Sequence, residues 1–262
     1  MDYIVVSIAA LLVAGMALYS GFGLGTLLMP VFALFFPVPV AVASTAVVHL
    51  ANNVFRIGFV GRHADWRIAL LFGVPAVAAA IGGALVLVWI SEMGSLFSYH
   101  LGGSEHQVTV VKLVVAVLIA GFAVVELTPA LSGWKMNRRF LPVGGALSGF
   151  FGGLSGHQGA LRSATLLGTG LSSAAFVGTG SVAGFMVDVT RLVVYGAGPL
   201  RETFAAGTSQ DTLGLVGAAT AAAFIGTYLS SRFLKKVTIG AIRKLVGALL
   251  AFLAVALASG LV

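Results

Sequence analysis

Apolar residues dominate long stretches of this chain, and the polar residues that interrupt them fall at helical spacing. Runs of about 20 apolar residues, the length that crosses a bilayer as α-helix, lie near 40–60, 68–90, 109–131, 174–196, 207–231 and 241–260. Two further stretches, 3–36 and 142–170, are apolar but glycine-rich. Two of the runs carry a polar stripe. Thr45, His49, Asn53 and Arg56 follow one another at steps of four, four and three, and Ser181, Gly184, Asp188 and Arg191 at three, four and three. Such steps stack side chains on one helix face. Asn53 and Arg56 map onto Asp188 and Arg191 by the same shift of 135 residues. The pattern predicts a duplicated chain whose polar faces turn toward a shared interior.

Composition turns this pattern into a membrane protein. Hydrophobic residues make up 59% of the 262 positions and charged residues 9%, against roughly 25% charged in soluble domains; the mean hydropathy is +1.06. The expected fold is all-α and polytopic. A net charge of +7 does not point to nucleic acid, because the basic residues gather at segment ends and follow the positive-inside pattern. Arg62 and Arg67, then Lys135, Arg138 and Arg139, then Arg232, Lys235, Lys236, Arg243 and Lys244 mark three cytoplasmic connections. The connection 91–107, with Glu92 and Glu105, and 197–206, with Arg201 beside Glu202, are placed outside. Met1-Asp2-Tyr3 offers no basic n-region, so the first apolar run is expected to be retained. Cysteine is absent, which excludes thiolate chemistry and disulfides.

Parity then constrains the glycine-rich stretches. Between the inside connections at 139 and 232 the chain must cross an even number of times, so 142–170 enters and leaves on one side, as a hairpin of two short helices broken near Gly152, Gly153, Ser155 and Gly156. The same logic puts a break near Ser20, Gly21 and Gly23 and both termini outside. Each half is a broken, re-entrant hairpin followed by three transmembrane helices: a first repeat over 1–131, a cytoplasmic linker over 132–141 and a second, inverted repeat over 142–262. Ile81-Gly82 after Ala78–Ala80 resembles Ile225-Gly226 after Ala221–Phe224, which supports the duplication. A parallel layout of four plus four straight helices is the rival, and conflicts with the basic connections.

The candidate chemistry lies where these features converge. The second break, Ser155-Gly156-His157-Gln158-Gly159-Ala160-Leu161-Arg162, is more polar than the first, Ser20-Gly21-Phe22-Gly23-Leu24-Gly25. An arginine at the bilayer centre costs roughly 2.5–3.5 kcal/mol, so a deep Arg162 requires a partner or water. Asn52, Asn53, Arg56, His157, Gln158, Arg162 and Arg191 are the expected contacts of an anion, with Ser20, Gly21, Ser155, Gly156 and Gly159 shaping the tips. Asp188 and Arg191 can neutralise each other at i, i+3, which leaves Arg56 more available; both arginines lie near helix ends and can also snorkel. His49, lacking an acid nearby in sequence, is a packing residue or, with Asp188, a proton carrier. Glu126 is left outside the core. Thr208, Ser209, Gln210 and Asp211 are expected to cap a helix. His100, Glu105 and His106 match no metal pattern and are assigned to a solvated loop, and no phosphate-binding loop occurs, so no metal, cofactor or catalytic residue is expected. Energy would come from an ion gradient.

On the residues Ser20–Gly25 ending at Pro30, and Gly152–Gly159, the chain resembles the TauE/SafE family of sulfite and organosulfonate exporters, over essentially its full length. Ala160, Leu161, Arg162 and Ser163 stand where that family has a run of glycines. The resemblance implies a multi-pass carrier of the bacterial inner membrane exporting sulfite or C2 sulfonates, coupled to protons. The expected partners are the lipid bilayer and a small anionic substrate, with association of copies left open and no nucleic acid. A passive anion channel, or a carrier of another small organic anion, shares the same residues; a non-transporting assembly subunit and an intramembrane enzyme are the remaining alternatives.

Overall fold

A computed structural model describes residues 2–20, 24–128, 136–197, 210–233 and 239–261, and ten α-helices run through them. The first half contains α1 (Asp2–Ser20), α2 (Leu24–Ala33), α3 (Val38–Val60), α4 (Trp66–Ser91) and α5 (Val110–Leu127). The second contains α6 (Leu141–Ser155), α7 (Gly159–Leu167), α8 (Ser173–Ala197), α9 (Gln210–Phe233) and α10 (Ile239–Ala258). Five helices are long and apolar enough to cross a membrane among the described residues, within α3 to α5, α8 and α9. Their outer faces leave Val74, Leu85, Trp89, Val117 and Val193 exposed, a surface that suits lipid rather than water. The chain is a multi-pass, all-α membrane protein.

Local chemistry sets several helix ends. Pro39 sits in the first turn of α3, where its missing N–H costs nothing. Asp65 caps α4 by accepting from the Ile68 amide at 3.0 Å. At the end of α6, Gly156 has φ +81°, a left-handed angle that favours glycine, and its N–H closes on Gly152 O.

The chain reverses there. Gly144 of α6 lies against Thr165 of α7, and Gly152 against Gln158, so α6 and α7 run antiparallel as a helical hairpin. This excludes a straight crossing over 142–170. The first hairpin is less even than expected: α1 has 19 residues and α2 ten, so its leading arm is long, about 28 Å at 1.5 Å per residue. Ser20 ends α1; Gly21 and Gly23, assigned to its break, fall outside the described residues. The tips nevertheless meet, since a Cβ on Gly25, in the first turn of α2, would lie 2.7 Å from Gly156 O.

The most extensive helix contacts all join one half to the other: α4 with α6, α1 with α9, α5 with α10, and α3 with α8. These pairs are preserved when the halves are exchanged. Glycine makes the first two possible. Gly145, Gly149 and Gly153 of α6 press onto the carbonyls of Phe72, Ala76 and Ala80 of α4, and Gly83 presses back onto Phe150 O. Both series rise together, so α4 and α6 are parallel. In the other pair Gly226 of α9 meets Leu11 O, Gly15 meets Gly226 O, and the Ser230 hydroxyl donates to Gly15 O at 2.7 Å. Without a hydrophobic drive between helices in lipid, such close backbone approach carries the association. The sequence comparison paired Gly82 with Gly226, but Gly82 faces open space and Gly83 makes the approach.

The connection 91–107 holds strands rather than an irregular loop. Residues β1 (Ser95–Leu101) and β2 (Ser104–Thr109) pair antiparallel around Gly102 and Gly103, at φ +62° and +85°. Two positive φ angles in a two-residue turn match the twist of a hairpin. Tyr99 donates its hydroxyl to Ser259 O at 2.5 Å, tying the hairpin to the end of α10. Thr208 and Ser209, assigned to a cap, lie outside the described residues; helix α9 begins at Gln210, with Asp211 in its first turn.

Substituting Gly149 by Ala should cost about 1–3 kcal/mol or more through overpacking against Ala76 O, whereas Gly82→Ala should be neutral or stabilising. Thermal unfolding of the two purified variants in detergent checks this; equal melting temperatures would contradict the α4–α6 packing.

Candidate functional site

Helices α3 and α8 cross at the centre in opposite directions: Asp188 meets His49, Gly184 meets Asn53, and Gly178 meets Val60. Their polar stripes face each other here. The contact of Asn53 with Asp188 joins residues 135 apart, the interval that separates the two stripes in sequence, and the interval from Ser20-Gly21 to Ser155-Gly156 is the same.

The Asp188 carboxylate, fully buried, gathers the donors around it. Its Oδ2 accepts from His49 Nδ1 at 2.6 Å and from Asn53 Nδ2 at 2.9 Å. Its Oδ1 accepts from Gln158 Nε2 at 2.9 Å and from Arg191 Nε and Nη2 at 3.0 and 2.8 Å. A carboxylate can only accept, so His49 carries a proton on Nδ1, and the 3.1 Å approach of Asn53 Nδ2 to that nitrogen is a contact between donors. Arg191 also donates from Nη1 to Gly152 O at 3.2 Å, reaching the end of α6 that leads into the tip. Five charge-assisted donors on one buried acid satisfy it completely. The acid that His49 lacked in sequence is supplied from 139 residues away.

Arg56 contrasts with its counterpart. Where Arg191 has Asp188 three residues earlier, Arg56 has the neutral Asn53. Arg56 is buried, and its Nε and Nη2 have no partner among the described residues. Neither arginine is a surface anchor. Arg162, also buried, rises from α7 and donates from Nη1 to Gln158 Oε1 at 3.3 Å. The space for it is made by Gly184, where a Cβ would lie 2.6 Å from Arg162 Nη1 and 2.7 Å from Asn53 Nδ2. Among the described residues the centre thus holds three guanidiniums and one carboxylate, and of the three only Arg191 bonds to the acid.

Arg56 and Arg162 line a small cavity with Ser163 and Ser181, walled by Ala17, Leu166 and Phe176. Its interior admits the centre of about one water, about 10 Å³. Among the described residues the buried hydroxyls of Ser163 and Ser181 have no partners, like Nε and Nη2 of Arg56. Buried donors without acceptors are expensive. Neither serine was singled out as a ligand by the sequence; Ser181 was visible on the α8 stripe, while Ser163, one residue after Arg162, had no periodic signal.

The remaining candidates divide. Asn52, one helical turn before Arg56, accepts at Oδ1 from Thr227 of α9 at 2.8 Å and leaves Nδ2 unpaired. His157 lies beneath α5, its Nδ1 2.9 Å from Ser155 O and its ring stacked on Phe122 at 5.4 Å; it does not line the cavity. Ser155 donates to Phe151 O at 3.1 Å. Gly156 forms the turn and Gly159 opens α7. Thr45 bonds back to Ala41 O and serves packing. Glu126 is buried at the end of α5 beside Gly247 of α10. No cluster of metal-ligating side chains occurs among the described residues.

A multi-pass helical protein with a cationic, donor-rich centre at the meeting point of two hairpins fits the class of membrane transporters. The model of the family described as sulfite exporter TauE/SafE matches residues 3–257, and the chain belongs to that family, whose members are transporters. No curated protein and no solved structure matches it.

Replacing Asp188 by Asn should destabilise the fold by about 3–5 kcal/mol, because Arg191 is left charged and unpaired. Thr227→Val should cost about 0.6 kcal/mol, the mean for a neutral interhelical bond in a membrane protein. Chemical denaturation of both variants in micelles measures the difference, and comparable losses would contradict the ion-pair geometry.

Proposed function

We propose that the chain is a secondary carrier that exports a small sulfur-containing anion, sulfite or a C2 sulfonate such as sulfoacetate, across a bacterial inner membrane by proton-coupled alternating access. The observation that carries this reading is Arg56: a buried guanidinium with two nitrogens that have no partner among the described residues, beside a second guanidinium and two hydroxyls likewise without partners there, in a cavity with no carboxylate among its described lining residues. An oxyanion supplies the acceptors that these groups lack, and guanidinium and hydroxyl donors suit its several oxygens.

Roles follow from the geometry. Arg56 and Arg162 bind the anion, with Ser163 and Ser181, and Asn52 beside them. Arg191, Gln158 and Asn53 hold Asp188 and thereby organise the second tip. The pair His49–Asp188, joined at 2.6 Å, is assigned the proton. Gln158 links the two, since its Oε1 faces Arg162 and its Nε2 faces Asp188. An inverted repeat, 1–131 against 142–262, accounts for antiparallel α3 and α8 and for parallel α4 with α6, and it supplies two equivalent hairpins that can rock about a shared site.

In proteoliposomes loaded with labelled sulfite or sulfoacetate, Arg56→Ala and Arg162→Ala should each lower flux roughly tenfold to a hundredfold, the worth of a hydrogen bond to a charged group. Wild-type vesicles with an imposed pH gradient should accumulate the anion above equilibrium, whereas a channel would only equilibrate it. Flux indifferent to both arginine substitutions would remove the site.

A further inference from the structure

The cavity assigned above to the anion has donors on several sides and, among its described lining residues, no carboxylate to pair with a cation. Among its described lining residues, Arg56, Arg162, Ser163 and Ser181 supply the side-chain polar groups and no carboxylate is present. The placement of the chain's eight carboxylates explains this. Asp2, Asp65, Glu92, Glu105 and Asp211 lie at helix ends or in connections, Glu202 lies outside the described residues, and the whole stretch from Tyr3 to Ala64 has no acid in its sequence. Glu126 lies with α10. Among the described residues Asp188 is the one acid at the centre, and both its oxygens are saturated by His49, Asn53, Gln158 and Arg191. Its carboxylate is a resident anion, tethered to the chain and already neutralised.

We infer that the site selects by charge against solutes carrying an ammonium group beside their acid group, so that it takes simple oxyanions and hydroxylated or carboxylated sulfonates and rejects aminoalkanesulfonates. This rests on Arg56 and Arg162 holding the transported anion, around which the cavity, with room for about one water as it stands, must widen. An ammonium brought into the cavity sits near two guanidiniums with no acid to receive it, and an uncompensated charge in a buried site is strongly disfavoured. A hydroxyl in the same place is neutral and hydrogen-bonds to a serine.

The test compares isethionate with taurine, which have the same chain length and differ in bearing a hydroxyl or an ammonium group. Each is titrated against purified wild-type protein in detergent, reading protection from thermal unfolding and competition with sulfite. Sulfite and isethionate should protect, and taurine should bind at least about 100-fold more weakly than isethionate. Equal binding of taurine and isethionate, with sulfite bound as expected, overturns the charge selection alone. Exclusion of both C2 compounds while sulfite binds also overturns it, since length and not charge would then discriminate. No protection by sulfite overturns both this inference and the assignment of the anion site.

Discussion

The centre of this protein depends on one buried acid. Among the described residues Asp188 is the only carboxylate at a centre that holds three guanidiniums, and it gathers two donors from α3, two from its own helix and one from the second tip. That arrangement fixes the crossing of α3 and α8 and seats the break after α6. It works because every lone-pair direction of the acid is used; a half-satisfied polar network at this depth would be worse than an apolar core.

Around this network the helices are held by contact between backbones. Glycines on α6, and on α1 and α9, remove side chains from the seams, which suits a protein whose solvent is lipid and whose helices gain little from hiding apolar groups. Large apolar side chains are turned outward instead. The same device serves the polar centre, where Gly184 leaves the volume that Arg162 and Asn53 fill.

The two polar stripes are informative because they are alike and not identical. Arg191 follows an acid by three residues and is consumed by it; Arg56 follows an amide and is not. At positions 135 apart in the two stripes Asn53 stands against Asp188, which separates an arginine bound to the acid from one whose Nε and Nη2 have no partner among the described residues. Arg162 and Ser163, which answer to Leu27 and Leu28 at the same interval, add to the asymmetry.

Much of this was legible in the chain. Apolar length gave the spanning helices, steps of three and four placed His49, Asn53 and Arg56 on one face, and parity required a reversal within 142–170, because a bilayer admits so few backbone arrangements. The family resemblance rested on the two small-residue breaks and is matched over residues 3–257. Local spacing paired Arg191 with Asp188 and could say little else about who meets whom. That His49 finds Asp188, that Gln158 donates to it, and that Ser163 and Ser181 turn hydroxyls without partners among the described residues into a cavity with Arg56 were decided by tertiary structure, since each joins segments that helical periodicity does not connect. The β-hairpin at 95–109 was likewise invisible to a search for apolar length. Periodicity in a sequence reports which face of a helix is special; only packing decides what that face meets.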